Sequence, residues 1–168
     1  MKHRLLICGS LMTALIAGSV DLGACGDKFF RPGRGARNKK YVALHAAHIL
    51  LYAPASTSAE TVSNFEKALS AAGHTPRAVR GMDGLASALA QGRYHIVIAP
   101  ATDEPRLSAY LSTLPSAPQL VPMVDADKGA TPEIERKYPH YLKSGADKVE
   151  IMEELDQVMS LTTVRAQR

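Results

Sequence analysis

"YHIVIAP", residues 94–100, runs from Tyr94 through three consecutive β-branched side chains to a closing proline. The apolar positions are continuous instead of alternating, the pattern of a strand covered on both faces, as in a parallel sheet. Upstream, "HILLYAP" (48–54) repeats the design, again closed by proline. Downstream, "QLVPMVD" (119–125) is a third apolar run, with Pro122 awkwardly inside it. Between these runs the period changes from strand to helix. Val62, Phe65, Leu69 and Ala72 fall on one helical face, with Ser58 placed to cap the start and Gly73 to end it.

The same rhythm continues in both directions. "TPRAVR" (75–80) reads as an edge strand because its proline lies at the start. Met82, Leu85, Ala86 and Leu89 mark a second helix that stops at Gly92. Leu107, Tyr110, Leu111 and Leu114 mark a third, and Thr131 with Pro132 opens a fourth that Pro139 should break. "DKVEI" (147–151) reads as a fifth strand, and Met152, Leu155, Val158 and Met159 as a closing helix. Strand-helix alternation with short loops predicts an α/β fold: a three-layer, doubly wound, parallel five-stranded sheet. Its expected strand order is 2-1-3-4-5, the flavodoxin-like and receiver-like arrangement.

The N-terminus has a different character. "MKHR" followed by the apolar run 5–20 is the layout of a secretory signal, and that run is too short to cross a bilayer as a helix. Leu22-Gly23-Ala24-Cys25 resembles the bacterial lipobox. The resemblance implies a signal peptide over 1–24, cleavage after Ala24, and acylation of Cys25 with palmitate-type chains. Two or more chains suffice for stable anchoring. The competing reading is an ordinary signal peptide with an incidental cysteine. With Cys8 removed in the signal, Cys25 is the one cysteine left, so no intramolecular disulfide is expected.

Residues 25–40 carry six Lys or Arg against Asp27 alone, whereas residues 41–168 carry 12 against 14 acids. The basic balance therefore belongs to a tether, 25–46, and not to the folded part. Beside a lipid anchor such a segment suits anionic headgroups, or serves only as a solvated spacer. Nucleic acid is not expected as a partner, because no platform of aromatic and basic residues follows. The expected organisation is completed by an α/β domain over 47–160 and a tail over 161–168. Residence is expected at the cell envelope, on the periplasmic face of the outer or inner membrane, with Gly26 after the anchor cysteine mildly favouring the outer one.

Over about 48–160 the domain resembles a response-regulator receiver, through element order, "GRYHIVIAP" and "YLKSGADKVEIMEELDQVM". Receivers place a phosphoacceptor Asp at the end of strand three, two metal-binding acids after strand one, and a Lys ending strand five. Magnesium needs clustered carboxylates, and a lysine offsets developing phosphoryl charge. Here the acceptor position falls on Pro100, the acidic pair on Ala53 and Pro54, a Thr/Ser position near Met123-Val124, and the lysine position near Met152. The resemblance thus implies a pseudo-receiver: a non-catalytic interaction domain with no cofactor and no metal. Its expected partner is another envelope protein or a second copy.

Two alternatives remain open on the residues. Ser56, Thr57, Ser58 and Thr61 follow strand one and could cradle a phosphate or the phosphate of a flavin, or else merely cap a helix. Asp103, Glu104, Asp125 and Asp127 follow strands three and four, where doubly wound folds bind ligands, and could serve a metal-dependent hydrolase. Asp103 is equally well placed to cap the next helix. His45, His48, His74, His95 and His140 have no zinc spacing, and His95 is expected within strand three.

Overall fold

The computed structural model describes residues 41–166. Five strands form one all-parallel sheet in the order β2-β1-β3-β4-β5, the flavodoxin-like arrangement. The strands are β1 (His48–Ala53), β2 (Thr75–Arg80), β3 (Ile96–Pro100), β4 (Gln119–Val124) and β5 (Leu142–Lys143). The α-helices are α1 (Ala59–Ala71), α2 (Gly81–Gln91), α3 (Glu104–Leu111), α4 (Pro132–Lys137) and α5 (Lys148–Ala166).

The pleat sorts the apolar runs into two cores. Ile49, Leu51 and Ala53 of β1, with Ile96, Ile98, Val121 and Met123, face α1 and α5. Leu50, Tyr52, Val97, Ala99, Leu120 and Val124 face α2, α3 and α4. Continuous apolar strands are what two covered faces demand. Phe65 of α1 is buried to 1% exposure among Val62, Leu69 and the α5 side chains, so its truncation to Ala would cost about 3–5 kcal/mol. No described helix is long and apolar enough to cross a membrane.

Pro122 is accommodated by direction. Gln119 N–H donates to His95 C=O, so alternate residues of β4 point their amides at β3, and Pro122 points the other way. On that side β5 first pairs at Met123, so the missing donor falls where the ladder has no partner. The α1 C-terminus closes in a Schellman turn. Gly73, at φ 99°, donates to Ser70 C=O, and the His74 amide reaches back to Leu69 C=O. That turn carries the His74 side chain inward.

The fifth strand differs from expectation. It is Leu142–Lys143, and "DKVEI" instead opens α5. Gly145 at φ 77° turns the chain, and Asp147 Oδ1 then accepts the amides of Val149 (2.8 Å) and Glu150 (2.9 Å). An aspartate holding two otherwise unpaired amides favours the helix. The folded unit also reaches beyond 47–160. Residues 41–47 pack against it, and α5 continues through 161–166 of the expected tail.

Candidate functional site

The carboxyl ends of the strands form the rim on which doubly wound folds bind ligands. Ala53 ends β1 fully buried, Pro54 follows it half-buried, and Pro100 ends β3 buried. None of the three has a group that could hold a cation or accept a phosphoryl group. Val124 ends β4 at 2% exposure and is equally inert. Met152 is a correction. Because β5 lies earlier than expected, Met152 sits buried within α5, and the residue ending β5 is the exposed Lys143. A cation therefore does stand at the end of strand five.

The hydroxyls after β1 are largely spent on structure. Ser58 Oγ accepts the Thr61 amide at 3.1 Å and shares a 2.8 Å hydrogen bond with Thr61 Oγ1. Thr57 is 2% exposed and Thr61 7% exposed, which leaves Ser56 and Ser58 at the surface. Arg80, at the end of β2, fastens this loop from outside. Its guanidinium donates to the carbonyls of Pro54 and Ala55 (both 3.3 Å) and of Thr57 (2.8 Å).

The four acids do not act together. Asp103 makes no capping bond. A 3-10 turn, Ala101–Asp103, runs straight into α3, so helical backbone starts two residues before Asp103 and the extended residue ahead of it is Pro100. Asp125 Oδ1 instead accepts the Asp127 amide at 3.0 Å. Glu104 turns inward at 2% exposure, where Lys137 Nζ (2.7 Å) and the Tyr138 hydroxyl both donate to its Oε1. Burial alone would raise its carboxyl pKa, yet these two donors outweigh it and hold the group below the usual carboxylate range. Lys137 also donates to Ser108 Oγ at 3.0 Å and is itself raised by its bond to Glu104. Glu104 is thus a tie between α3 and α4, unavailable to a rim ion. A groove of about 270 Å³ borders this tie, lined by Ala101, Pro105, Val124 and Ile134 together with Lys128 and the acids Glu104, Asp125 and Glu133. Among the described residues no three His, Cys, Asp or Glu side chains stand together where they could hold a metal ion.

Sequence reasoning missed a second buried acid. Asp156 of α5, 6% exposed, accepts from the Tyr41 hydroxyl and from the amides of Leu44 (3.0 Å) and His45 (3.1 Å). Burial works against its ionisation, but these three donors prevail and lower its pKa. Tyr41 is pushed up to about 12 by burial and by this carboxylate. Beside it, His74 is 5% exposed, and neither ring nitrogen has a hydrogen-bond partner among the described residues. Burial lowers the His74 pKa, and the Asp156 charge offsets this in part. The partners that explain Asp156 lie 111 to 115 positions away in sequence.

His95 lies just before β3 and is exposed, with Nδ1 accepting the His48 amide at 2.9 Å. His140, two residues before β5, bonds through Nδ1 to Glu154 of α5 at 2.8 Å. Cys25, the signal over 1–24 and the basic segment to residue 40 lie outside the described residues. Comparison of the chain with protein-family models, with curated proteins and with solved structures found no match in any of the three.

Proposed function

We propose that this chain is a lipid-anchored envelope protein, held through an acylated Cys25 and a basic tether, whose folded part is a non-catalytic, receiver-like interaction domain. The observation that carries this reading is the chemistry of the rim. Phosphoryl transfer onto such a scaffold needs two or three carboxylates around a cation. The positions that would supply them hold Ala53, Pro54 and Pro100; of the two acids that follow β3, Glu104 is committed to Lys137 and Tyr138, and Asp103 belongs to no group of three metal-ligating side chains among the described residues. Lys143 ends β5 as a receiver lysine would, but a lone cation there has no phosphoryl group to neutralise.

The partner is a second envelope protein or a second copy of this chain. What favours the last strand and helix as its seat is the shortness of β5, two residues at the sheet margin. A groove of about 230 Å³ follows it, lined by Tyr141, Lys143, Ile151 and Glu154 among others. The test is the intact mass of protein extracted from membranes after mild crosslinking. The reading requires acyl chains on Cys25 and a discrete crosslinked species. An unmodified Cys25, or protein recovered only as monomer, contradicts it.

A further inference from the structure

The opposite end of the sheet, where the strands begin, is chemically unlike the rim. A groove of about 730 Å³ runs across the first residues of β1, β2 and the turn before β3. Its polar lining is Arg77, Arg93, His48, His95, Tyr94 and Thr75, and none of its eight lining residues is acidic. That is a local reversal, since residues 41–168 as a whole carry more acids than cations. Arg77 and Arg93 are exposed, and Arg77 is steadied by a 3.3 Å bond to the Tyr94 hydroxyl. Because His95 Nδ1 accepts the His48 amide, its proton in the neutral ring resides on Nε2, which makes Nε2 a donor. The His48 and His95 rings stand 5.6 Å apart.

Two further observations give this end a direction. The chain enters the domain here. Ala43 N–H donates to Ala72 C=O at 2.8 Å, and Thr75, a groove residue, donates to Ala47 C=O at 2.8 Å. In sequence, the six cations of residues 25–40 directly precede this entry segment. A neighbouring cleft shares Gly92, Arg93 and Tyr94 and adds Tyr110 with the apolar Leu114 and Pro115; the two tyrosines, apolar in body and polar at the tip, suit a boundary between water and lipid.

We propose that this strand-start face is a docking surface for the phosphate headgroups of an anionic lipid bilayer, with Arg77 and Arg93 as its charged contacts. The inference rests on the membrane-anchored reading above. It goes further by fixing the domain's orientation: the strand-start end lies on the bilayer, and the rim faces away. Guanidinium groups suit phosphate through paired N–H donors.

The test uses the full chain with Cys25→Ser, which removes any acyl contribution, and sedimentation with vesicles of equal parts phosphatidylglycerol and phosphatidylcholine. At about 1 kcal/mol per cation near a charged surface, Arg77→Gln with Arg93→Gln should weaken partitioning roughly 25-fold. Arg77→Lys with Arg93→Lys should stay within about threefold of the parent, because charge is kept. Should the double Gln variant lose its thermal transition, Arg93→Gln alone should still weaken partitioning about fivefold. Partitioning by the Gln variants equal to that of the parent overturns the proposal and assigns all binding to the tether. Displacement by inorganic phosphate at fixed ionic strength also overturns it, because it marks a small-anion site instead of a surface. An unacylated Cys25 in membrane extracts would instead sink the anchoring reading and leave this measurement intact.

Discussion

His74 offers a buried-residue substitution that should stabilise the fold. The residue is 5% exposed, and neither ring nitrogen has a partner among the described residues. A buried donor or acceptor left unmade costs about 1–3 kcal/mol, and removal of the polar atoms relieves it. His74→Leu keeps an apolar body next to Leu69 and should raise stability by about 1–2 kcal/mol at pH 7.5. The pH dependence is sharper. Burial lowers the folded-state pKa of His74 from its ordinary 6.5, so the unfolded chain takes up a proton more readily as pH falls. Stability is therefore lost as pH drops below about 6.5 toward the folded-state value. A ring that stays neutral in the fold at pH 5.5 forfeits as much as about 1.4 kcal/mol relative to pH 7.5. The leucine variant lacks this loss. Urea unfolding of both proteins at pH 7.5 and 5.5 reads the difference directly, with the gap between them widening in acid. An equal or destabilising effect at pH 7.5, with parallel pH profiles, would refute the assignment of His74 as a buried, unpaired ring.

Asp156→Asn should cost about 3 kcal/mol, since one carboxylate gathers three donors and the amide can only partly replace it. Because Asp156 has a depressed pKa, its contribution is present above pH 3.8 and is lost below, so the variant's unfolding free energy should also flatten between about pH 4 and 2. Glu104→Gln should destabilise by about 2 kcal/mol, because two donors lose their carboxylate while water takes over part of the half-exposed Lys137 charge, whereas Tyr138→Phe should cost only about 1 kcal/mol; thermal unfolding separates them. Ser58→Ala should remove about 1 kcal/mol through the lost α1 cap, and amide hydrogen exchange should quicken at Thr61 and Val62.

The architecture was legible where apolar runs were long. β1, β3 and β4 each bury at least five residues, and such runs declare both faces covered. The fifth strand was not legible, because two residues carry no period at all. "DKVEI" misled through its alternating Val149 and Ile151, while the deciding signal was Asp147 two and three residues before the amides it caps. The rim's inert residues could be read directly, since Ala53, Pro54 and Pro100 need only a strand end to locate them. Met152 could not, because its placement inherited the misplaced strand. Glu104 and Asp156 were opaque for a different reason. An acid looks solvated in sequence until its donors are known, and theirs lie 33 and 34, and 111 to 115, positions away.

The central claim is that the rim cannot be charged with phosphate. Amide resonances of the full chain with Cys25→Ser, titrated with magnesium and then with beryllofluoride, address it most directly. The account predicts that Ala53, Ala101 and Lys143 hold their positions throughout. Saturable, magnesium-dependent shifts at these three amides would contradict it.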